Sequence, residues 1–152
     1  MTNHTDIDKT YQWFREVYPD ASNKNLHTQL GVHFEEIAEM MKTINSNGNN
    51  IQTLSLLAAV WHATHNLAEH LKKNGDVIWI TNRVEYLDSL CDQIVTAVGC
   101  GHHAHMNVTG AFAEVNRSNF SKFDDNGKAV LDENLKVAKS SNYRRADLTP
   151  FI

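Results

Sequence analysis

The chain has 152 residues, of which 41% are hydrophobic, and its formal net charge is −4. This length fits one domain over residues 1–152, and the acidic balance disfavours general nucleic-acid binding, since phosphate backbones attract basic surfaces. Two cysteines are too few for a disulfide framework, and neither a signal peptide nor a membrane-spanning apolar run is apparent. We therefore expect a cytoplasmic protein that binds neither nucleic acid nor membrane.

The spacing of apolar residues predicts three helices in the first half of the chain. A short helix near the N-terminus has Ile7, Tyr11, Phe14 and Tyr18 on its apolar side and is ended by Pro19. A second helix is predicted from about residue 26 to 44, and a third from about 51 to 73. An asparagine-rich loop separates the second helix from the third.

Two more helices and a tail are predicted in the second half. The fourth helix runs from about residue 82 to 98, where the Gly99-Cys100-Gly101 segment breaks it. The fifth runs from about 106 to 120, and the apolar pattern decays from residue 123 to 152. The sequence thus predicts an all-α protein with a C-terminal tail that packs on the body or crosses to a partner subunit.

The second predicted helix carries three glutamates within five residues. Glu36 and Glu39 are three positions apart and share one face, away from the apolar stripe, and Glu35 flanks Glu39. Like charges at this spacing repel one another unless something positive lies among them. Taken alone, such a cluster is most often a solvated acidic surface.

The fourth predicted helix repeats this design. Glu85, Asp88 and Asp92 step by three and four and project from one side. Two antiparallel helices could aim four or five carboxylates at one point, and carboxylate oxygens are hard ligands that suit Mg²⁺ or Mn²⁺. The alternative is a structural network of salt bridges between helices.

Two further groups of side chains are candidates for binding. In the segment from residue 116 to 122, Arg117, Asn119 and Lys122 lie among hydroxyls and amides that suit phosphate. The histidines His102, His103 and His105 are close enough to suggest zinc, although a run beside glycines is more often a polar loop.

The acidic motifs resemble a known family. Glu35-Glu36-x-x-Glu39 followed by a second acidic helix is similar to the all-α nucleoside triphosphate pyrophosphatases, the MazG-like superfamily. Ser89 stands where that family places a glutamate before Asp92, and the remaining Asp88-x-x-x-Asp92 resembles a phage branch labelled phosphoribosyl-ATP pyrophosphohydrolase-like. The residues 117–122 and 142–148 continue the resemblance to that branch.

The resemblance implies a helical bundle of about five helices with an extended tail, assembled as a homodimer or homotetramer. It implies hydrolysis of a nucleoside or deoxynucleoside triphosphate to the monophosphate and pyrophosphate with Mg²⁺ or Mn²⁺. The phage branch includes enzymes acting on purine deoxynucleotides such as dGTP. dGTP or dATP is therefore the expected substrate.

The same resemblance assigns roles to individual residues. Carboxylates expected to bind the metal are Glu36, Glu39, Asp88 and Asp92, with Glu85 an open alternative, and Glu35 or Glu36 is the expected catalytic base. Residues expected to contact the substrate are Asn25, Gln29, His33, Arg117, Asn119, Lys122 and Tyr143. The main alternative is a non-enzymatic helical protein whose acidic faces hold a basic partner.

Overall fold

A computed structural model describes residues 5–20, 22–46, 50–73, 78–132 and 136–152. In these ranges the backbone forms five α-helices, and its β pairing is limited to an isolated bridge between Leu131 and Val137. The prediction of an all-α protein is confirmed. Within the same ranges, no helix combines the length and hydropathy needed to cross a bilayer.

The helices are α1 Asp6–Val17, α2 Asn23–Lys42, α3 Ile51–Lys73, α4 Arg83–His103 and α5 Val108–Phe120, followed by a 3-10 helix over Thr149–Phe151. The third has the predicted bounds, whereas α4 continues through the glycines that were expected to break it. At Gly101 a β-carbon would collide with the side chain of Val108, so the glycine allows the end of α4 to approach α5. The chain turns instead at His105, whose φ of 62° is left-handed.

The chain divides into two compact units. The first contains α1, α4, α5 and most of the C-terminal segment, and the second contains α2, α3 and Lys136. Each unit is described by itself below. One domain over residues 1–152 with a tail from about 123 stays a prediction.

In the first unit, α1 packs against α5 through an aromatic core. Trp13 and Val17 are buried together with Phe123, and the Trp13 indole N–H donates to the Asn119 carbonyl at 3.1 Å. The predicted apolar side of α1 was partly wrong, because Ile7 is 53% exposed. The buried side of α1 is instead formed by Trp13 and Val17, and the indole ring of Trp13 packs beside α5.

A buried asparagine also ties α1 to α5. Asn116 is 3% exposed, and its side chain accepts from the Thr10 hydroxyl and donates to the Asp6 carbonyl, both at 2.8 Å. Its polar atoms are therefore satisfied, as burial requires. The end of the chain packs on the other end of α5, where the Asn107 backbone N–H donates to the Phe151 carbonyl at 2.8 Å.

In the second unit, α2 and α3 form an antiparallel hairpin. Ala38 and Ala68 are almost completely buried, with 1% and 0% exposure. Gly31 permits the close approach, because a β-carbon there would lie 2.9 Å from the Ala68 carbonyl oxygen and 2.8 Å from Cγ of Lys72. This packing places Glu35 of α2 beside Lys72 of α3, whereas Glu36 and Glu39 are exposed.

Candidate functional site

On the acidic face of α2, the negative charge of one glutamate is balanced by lysine side chains. Glu35 receives the Lys72 ammonium group at 2.8 Å and the Lys136 ammonium group at 3.3 Å, one on each carboxylate oxygen. The hydrogen bond from Lys72 is the main reason that the pKa of Glu35 is lowered. Glu35 therefore keeps its charge to a lower pH than an ordinary glutamate does, and both of its carboxylate oxygens have a lysine partner.

Glu36 is in the opposite electrostatic situation. Although it is an exposed residue, neighbouring atoms displace enough water from its carboxyl group to raise its pKa, and the charges of Glu39 and Glu35 raise it further. Lys136 and His33 only partly offset this effect. Glu36 and Glu39 thus form a pair of like charges that the described side chains do not fully compensate.

The second acidic group lies on α4, in the first unit. Asn82 caps α4 by accepting from the backbone N–H groups of Val84 and Glu85. Asp88 and Asp92 are exposed, and α4 has no buried residue among its 21. Apolar side chains of α4 are exposed as well, among them Leu87 at 62% and Ile94 at 49%.

The two predicted halves of the metal site therefore belong to different units. The described ranges contain no group of three or more histidine, cysteine, aspartate or glutamate residues arranged to hold a metal ion. The carboxylates of Glu36 and Glu39 fit Mg²⁺ or Mn²⁺ by their chemistry, since hard divalent cations prefer oxygen ligands. The shared ligand set stays a prediction.

A cleft of about 780 Å³ in the first unit brings together several of the predicted substrate residues. It is lined by Ser118, Asn119, Lys122, Tyr143, Arg145, Ala146, Asp147, Leu148, Thr149 and Ile152. Asn119, Lys122 and Tyr143 were predicted as substrate contacts from segments more than twenty residues apart. Arg145 was not predicted as a substrate contact, although it lies in the segment 142–148 that resembles the phage branch.

Lys122 and Tyr143 each have a defined setting in this cleft. The Lys122 ammonium group donates to the Asn119 side-chain oxygen at 2.8 Å and lies 5.8 Å from the centroid of the Trp13 ring. The ammonium group of Lys139 lies 4.7 Å from the centre of the Tyr143 ring. The cleft thus contains cations, an amide and an aromatic ring, which are groups that bind phosphate and bases.

Arg117 has a local structural role. Its guanidinium group makes two hydrogen bonds to Glu114, at 2.7 and 2.6 Å, and a third at 3.1 Å to the carbonyl of Arg145. The hydrogen bond from Arg117 is the first cause that lowers the pKa of Glu114 to about 2. The predicted phosphate contact of Arg117 would have to coexist with these bonds, and it stays a prediction.

The remaining predicted contacts lie along α2. The Asn25 side chain accepts from the Ser22 backbone N–H at 2.9 Å, which completes a capping box at the start of the helix. Gln29 is exposed, and His33 lies one turn before Glu36 with its ring 6.1 Å from the Phe34 ring. Asn25 therefore has a structural role in capping α2, and its contact with the substrate stays a prediction.

A second cavity of about 300 Å³ lies in the α2–α3 hairpin. It is lined by Met41, Lys42, Ile44, Leu54, Leu57, Ala58 and Trp61. The Trp61 ring stacks on His65 with centroids 5.2 Å apart and receives the Lys42 ammonium group at 4.7 Å. His65 therefore has a packing role beside Trp61.

The chain was also compared with known proteins. Neither the family models nor the curated proteins nor the solved structures contain a match to it.

Proposed function

We propose that this protein is a metal-dependent nucleoside triphosphate pyrophosphohydrolase of the MazG-like type. The expected substrate is a purine deoxynucleoside triphosphate such as dGTP or dATP. The observation that carries the proposal is the pair of Glu36 and Glu39: desolvation raises the pKa of Glu36, and the charge of Glu39 raises it further. Structures retain uncompensated charge of this kind mainly at functional sites, where a bound cation can supply the missing charge.

Glu36 and Glu39 of α2, together with Asp88 and Asp92 of α4, are the proposed metal ligands. A bound Mg²⁺ or Mn²⁺ would neutralise and orient the phosphates and increase the nucleophilicity of a bound water. The proposal requires that the two helices cooperate in the active protein. It therefore predicts that substitutions on either helix abolish the same activity.

The reaction is attack of water on the α-phosphorus. A new P–O bond forms to the water oxygen, and the bond between the α-phosphorus and the bridging oxygen breaks, which releases pyrophosphate and the monophosphate. Glu36 is a better candidate than Glu35 for taking the proton, because two lysines hold Glu35 in its charged form. A base with a raised pKa retains the proton more readily.

The cleft beside α5 is the proposed site for the phosphates. Lys122 and Arg145 supply positive charge, Asn119 supplies an amide, and Tyr143 supplies an aromatic ring. These groups can hold the triphosphate by charge-assisted hydrogen bonds. His33, Asn25 and Gln29 on α2 remain proposed contacts to phosphate, base or sugar.

Self-association as a homodimer or homotetramer belongs to the same proposal. The support is the exposed stripe on α4, where five large apolar residues lie open: Val84, Leu87, Ile94, Val95 and Val98. Exposed apolar area of this kind usually marks an interface. The proposed location is the cytoplasm, or the host cytoplasm if a phage encodes the protein.

The alternative is a non-enzymatic helical binding protein that uses its acidic faces to hold a basic partner. No particular contact among the described residues favours it over the hydrolase. The two proposals differ in what a neutral substitution removes, since only the enzyme has a turnover to lose.

The test compares single substitutions on both helices with a matched control. Glu39→Gln and Asp92→Asn should each lower kcat for pyrophosphate release by about a hundredfold or more. Glu16→Gln on α1 removes the same charge outside both motifs and should change kcat by less than about twofold. Wild-type activity in Glu39→Gln and Asp92→Asn would contradict the proposed metal site.

A further inference from the structure

Three polar side chains hold the C-terminal segment 144–147 along α5. Glu114, Arg117 and Ser121 are separated by three and four positions, so they lie on one side of α5 and its C-cap. Each of them makes a hydrogen bond to a backbone group of the segment. We call these three residues the polar row. The segment runs antiparallel to the helix, because Ser121 meets its beginning and Glu114 meets its end.

The first two contacts of the polar row lie one helical turn apart. The Ser121 hydroxyl accepts from the backbone N–H of Arg144 at 2.8 Å. The Arg117 guanidinium group donates to the backbone carbonyl of Arg145 at 3.1 Å. The backbone of these two segment residues is therefore held by side chains of α5 and its cap.

The third contact depends on an ion pair within the polar row. Glu114 accepts from two guanidinium nitrogens of Arg117 at 2.7 and 2.6 Å, and its Oε1 atom also accepts from the backbone N–H of Asp147 at 3.0 Å. The Glu114 side chain is only 20% exposed. Loss of its charge would therefore weaken the Asp147 contact and release the guanidinium group that holds the Arg145 carbonyl.

The segment held in this way forms one wall of the cleft beside α5. Arg145 and Asp147 both line the cleft, together with Tyr143, which directly precedes the segment. The Arg117 and Glu114 contacts lie on either side of the Arg145 side chain, at its own carbonyl and at the N–H two residues further on. The polar row thus fixes the backbone from which a cation of the cleft projects. Ligand groups bind best when their supporting contacts hold them in place before the ligand arrives.

We propose that Glu114 and Arg117 are positioning residues, which hold the segment 144–147 on α5 so that the Arg145 guanidinium group is presented to the phosphates in the cleft. Arg117 then acts through Arg145 instead of touching the phosphates itself. The inference rests on the proposed phosphate site beside α5 and adds to it the residues that keep its wall in place.

The direction of one change tests the inference. Glu114→Gln removes a negative charge close to the cleft, so electrostatics alone predicts tighter binding of an anion. The positioning role predicts the opposite, because the loosened segment no longer presents Arg145. The affinity for inorganic tripolyphosphate should fall about five- to tenfold. Calorimetric titration of the full-length protein in chelator measures this affinity without requiring turnover.

A double-mutant cycle tests whether Glu114 acts through Arg145. Arg145→Met should weaken tripolyphosphate binding about tenfold and leave Lys122 to bind the anion. In that background Glu114→Gln should change the affinity by less than about twofold, since the cation that it positions is absent. Glu16→Gln on α1 removes the same charge outside the polar row and is the matched control. It should bind tripolyphosphate as wild type does.

A second variant and a local probe separate positioning from a general loss of folding. Arg117→Lys retains the charge but lacks the fork that joins Glu114 to the Arg145 carbonyl, so it should also bind tripolyphosphate more weakly. In both single variants the Asp147 amide should exchange its hydrogen faster, whereas the amide of the buried Trp13 should exchange as in wild type.

Each contrary result identifies what has failed. Tighter binding by Glu114→Gln would overturn the inference and indicate that the released Arg117 contacts the anion itself. Additive losses in the Glu114→Gln, Arg145→Met double variant would also overturn it, and both results would leave the cleft as a phosphate site. Absence of tripolyphosphate binding to wild type would overturn the phosphate site and the inference together. Hydrolysis of nucleotides is decided separately, by analysis of their products.

Discussion

The ammonium group of Lys72 on α3 lies 2.8 Å from a carboxylate oxygen of Glu35 on α2, at the point where the two helices pack most closely. Glu35 is thereby fixed in orientation and charge, one position before Glu36. A carboxylate held in this way stabilises the hairpin, whereas desolvation and the charges of Glu39 and Glu35 raise the pKa of its neighbour Glu36 and outweigh the charges of Lys136 and His33. The two adjacent glutamates consequently have opposite effects on stability, and each effect can be measured.

Lys72→Met should destabilise the protein by about 1–2 kcal/mol, because it leaves a partly buried carboxylate without its main partner. Lys73→Met is the matched control, since Lys73 is 71% exposed and pairs with Glu69 without touching Glu35 in the described ion pairs. Its cost should stay below about 0.5 kcal/mol. Chemical denaturation of both variants tests the difference, and equal losses would contradict the positioning role of Lys72.

The same pair predicts a dependence on acid. The folded-state pKa of Glu35 lies below the ordinary value of 4.5, so its contribution is present above that value and is lost as pH falls through the lowered pKa. Wild type should therefore lose more stability than Lys72→Met between neutral pH and acidic pH. Parallel denaturation curves across that range provide the measurement.

Glu36→Gln should have the opposite sign. The folded-state pKa of Glu36 is raised, so its cost to stability appears as pH rises above the ordinary value of 4.5 and is complete above the raised pKa. In chelator at neutral pH the variant should melt up to about 2 °C above wild type, and the difference should vanish in acid. Added Mg²⁺ should stabilise wild type more than the variant. A lower melting temperature of Glu36→Gln at neutral pH would show that Glu36 is a structural residue.

Two glycine substitutions test the account of the hairpin. A β-carbon at Gly31 would meet the Ala68 carbonyl oxygen at 2.9 Å, so Gly31→Ala should cost about 1–3 kcal/mol. Gly99 on α4 has no atom within 4 Å of the same position, and Gly99→Ala should stabilise by about 0.5–1 kcal/mol through helix propensity. Thermal unfolding followed by circular dichroism measures both changes. Equal stability of the Gly31→Ala and Gly99→Ala variants would contradict the close packing of α2 on α3 at Gly31.

The cleft beside α5 predicts different effects for its two neighbouring cations. Lys122→Met should raise KM for the triphosphate about tenfold with little change in melting temperature, since Lys122 faces the cleft. Arg117→Met should instead lower the melting temperature, because Arg117 ties Glu114 to the Arg145 carbonyl. Lys128→Met, in an exposed turn, is the control for charge. An unchanged KM in Lys122→Met would remove this cleft from the proposed substrate site.

The extent to which helix bounds could be predicted from the sequence differs from one helix to another. The bounds of α3 were predicted, since a long periodic run ends at a clear glycine signal. The end of α4 was not, because Gly99 and Gly101 remain helical, and at Gly101 the contact with Val108 favours a small residue. Local pattern indicates where a helix can break, and tertiary contact decides whether it does.

The candidate site shows the same division. The acidic motif and the segment of Lys122 are visible as short patterns, and Asn119, Lys122 and Tyr143 do line one cleft. The partners of Glu35 are Lys72 and Lys136, which lie 37 and 101 positions away. No spacing rule connects such residues, so the distinction between Glu35 and Glu36 required the fold.

Product analysis of the wild-type protein tests whether it hydrolyses nucleoside triphosphates to the monophosphate and pyrophosphate. Each canonical nucleoside and deoxynucleoside triphosphate is incubated with Mg²⁺, with Mn²⁺ and with chelator, and the nucleotides are separated. We expect monophosphate and pyrophosphate to form without diphosphate and only when metal is present. Turnover should be fastest with a purine deoxynucleoside triphosphate. Folded protein that converts none of these nucleotides with either metal would contradict it.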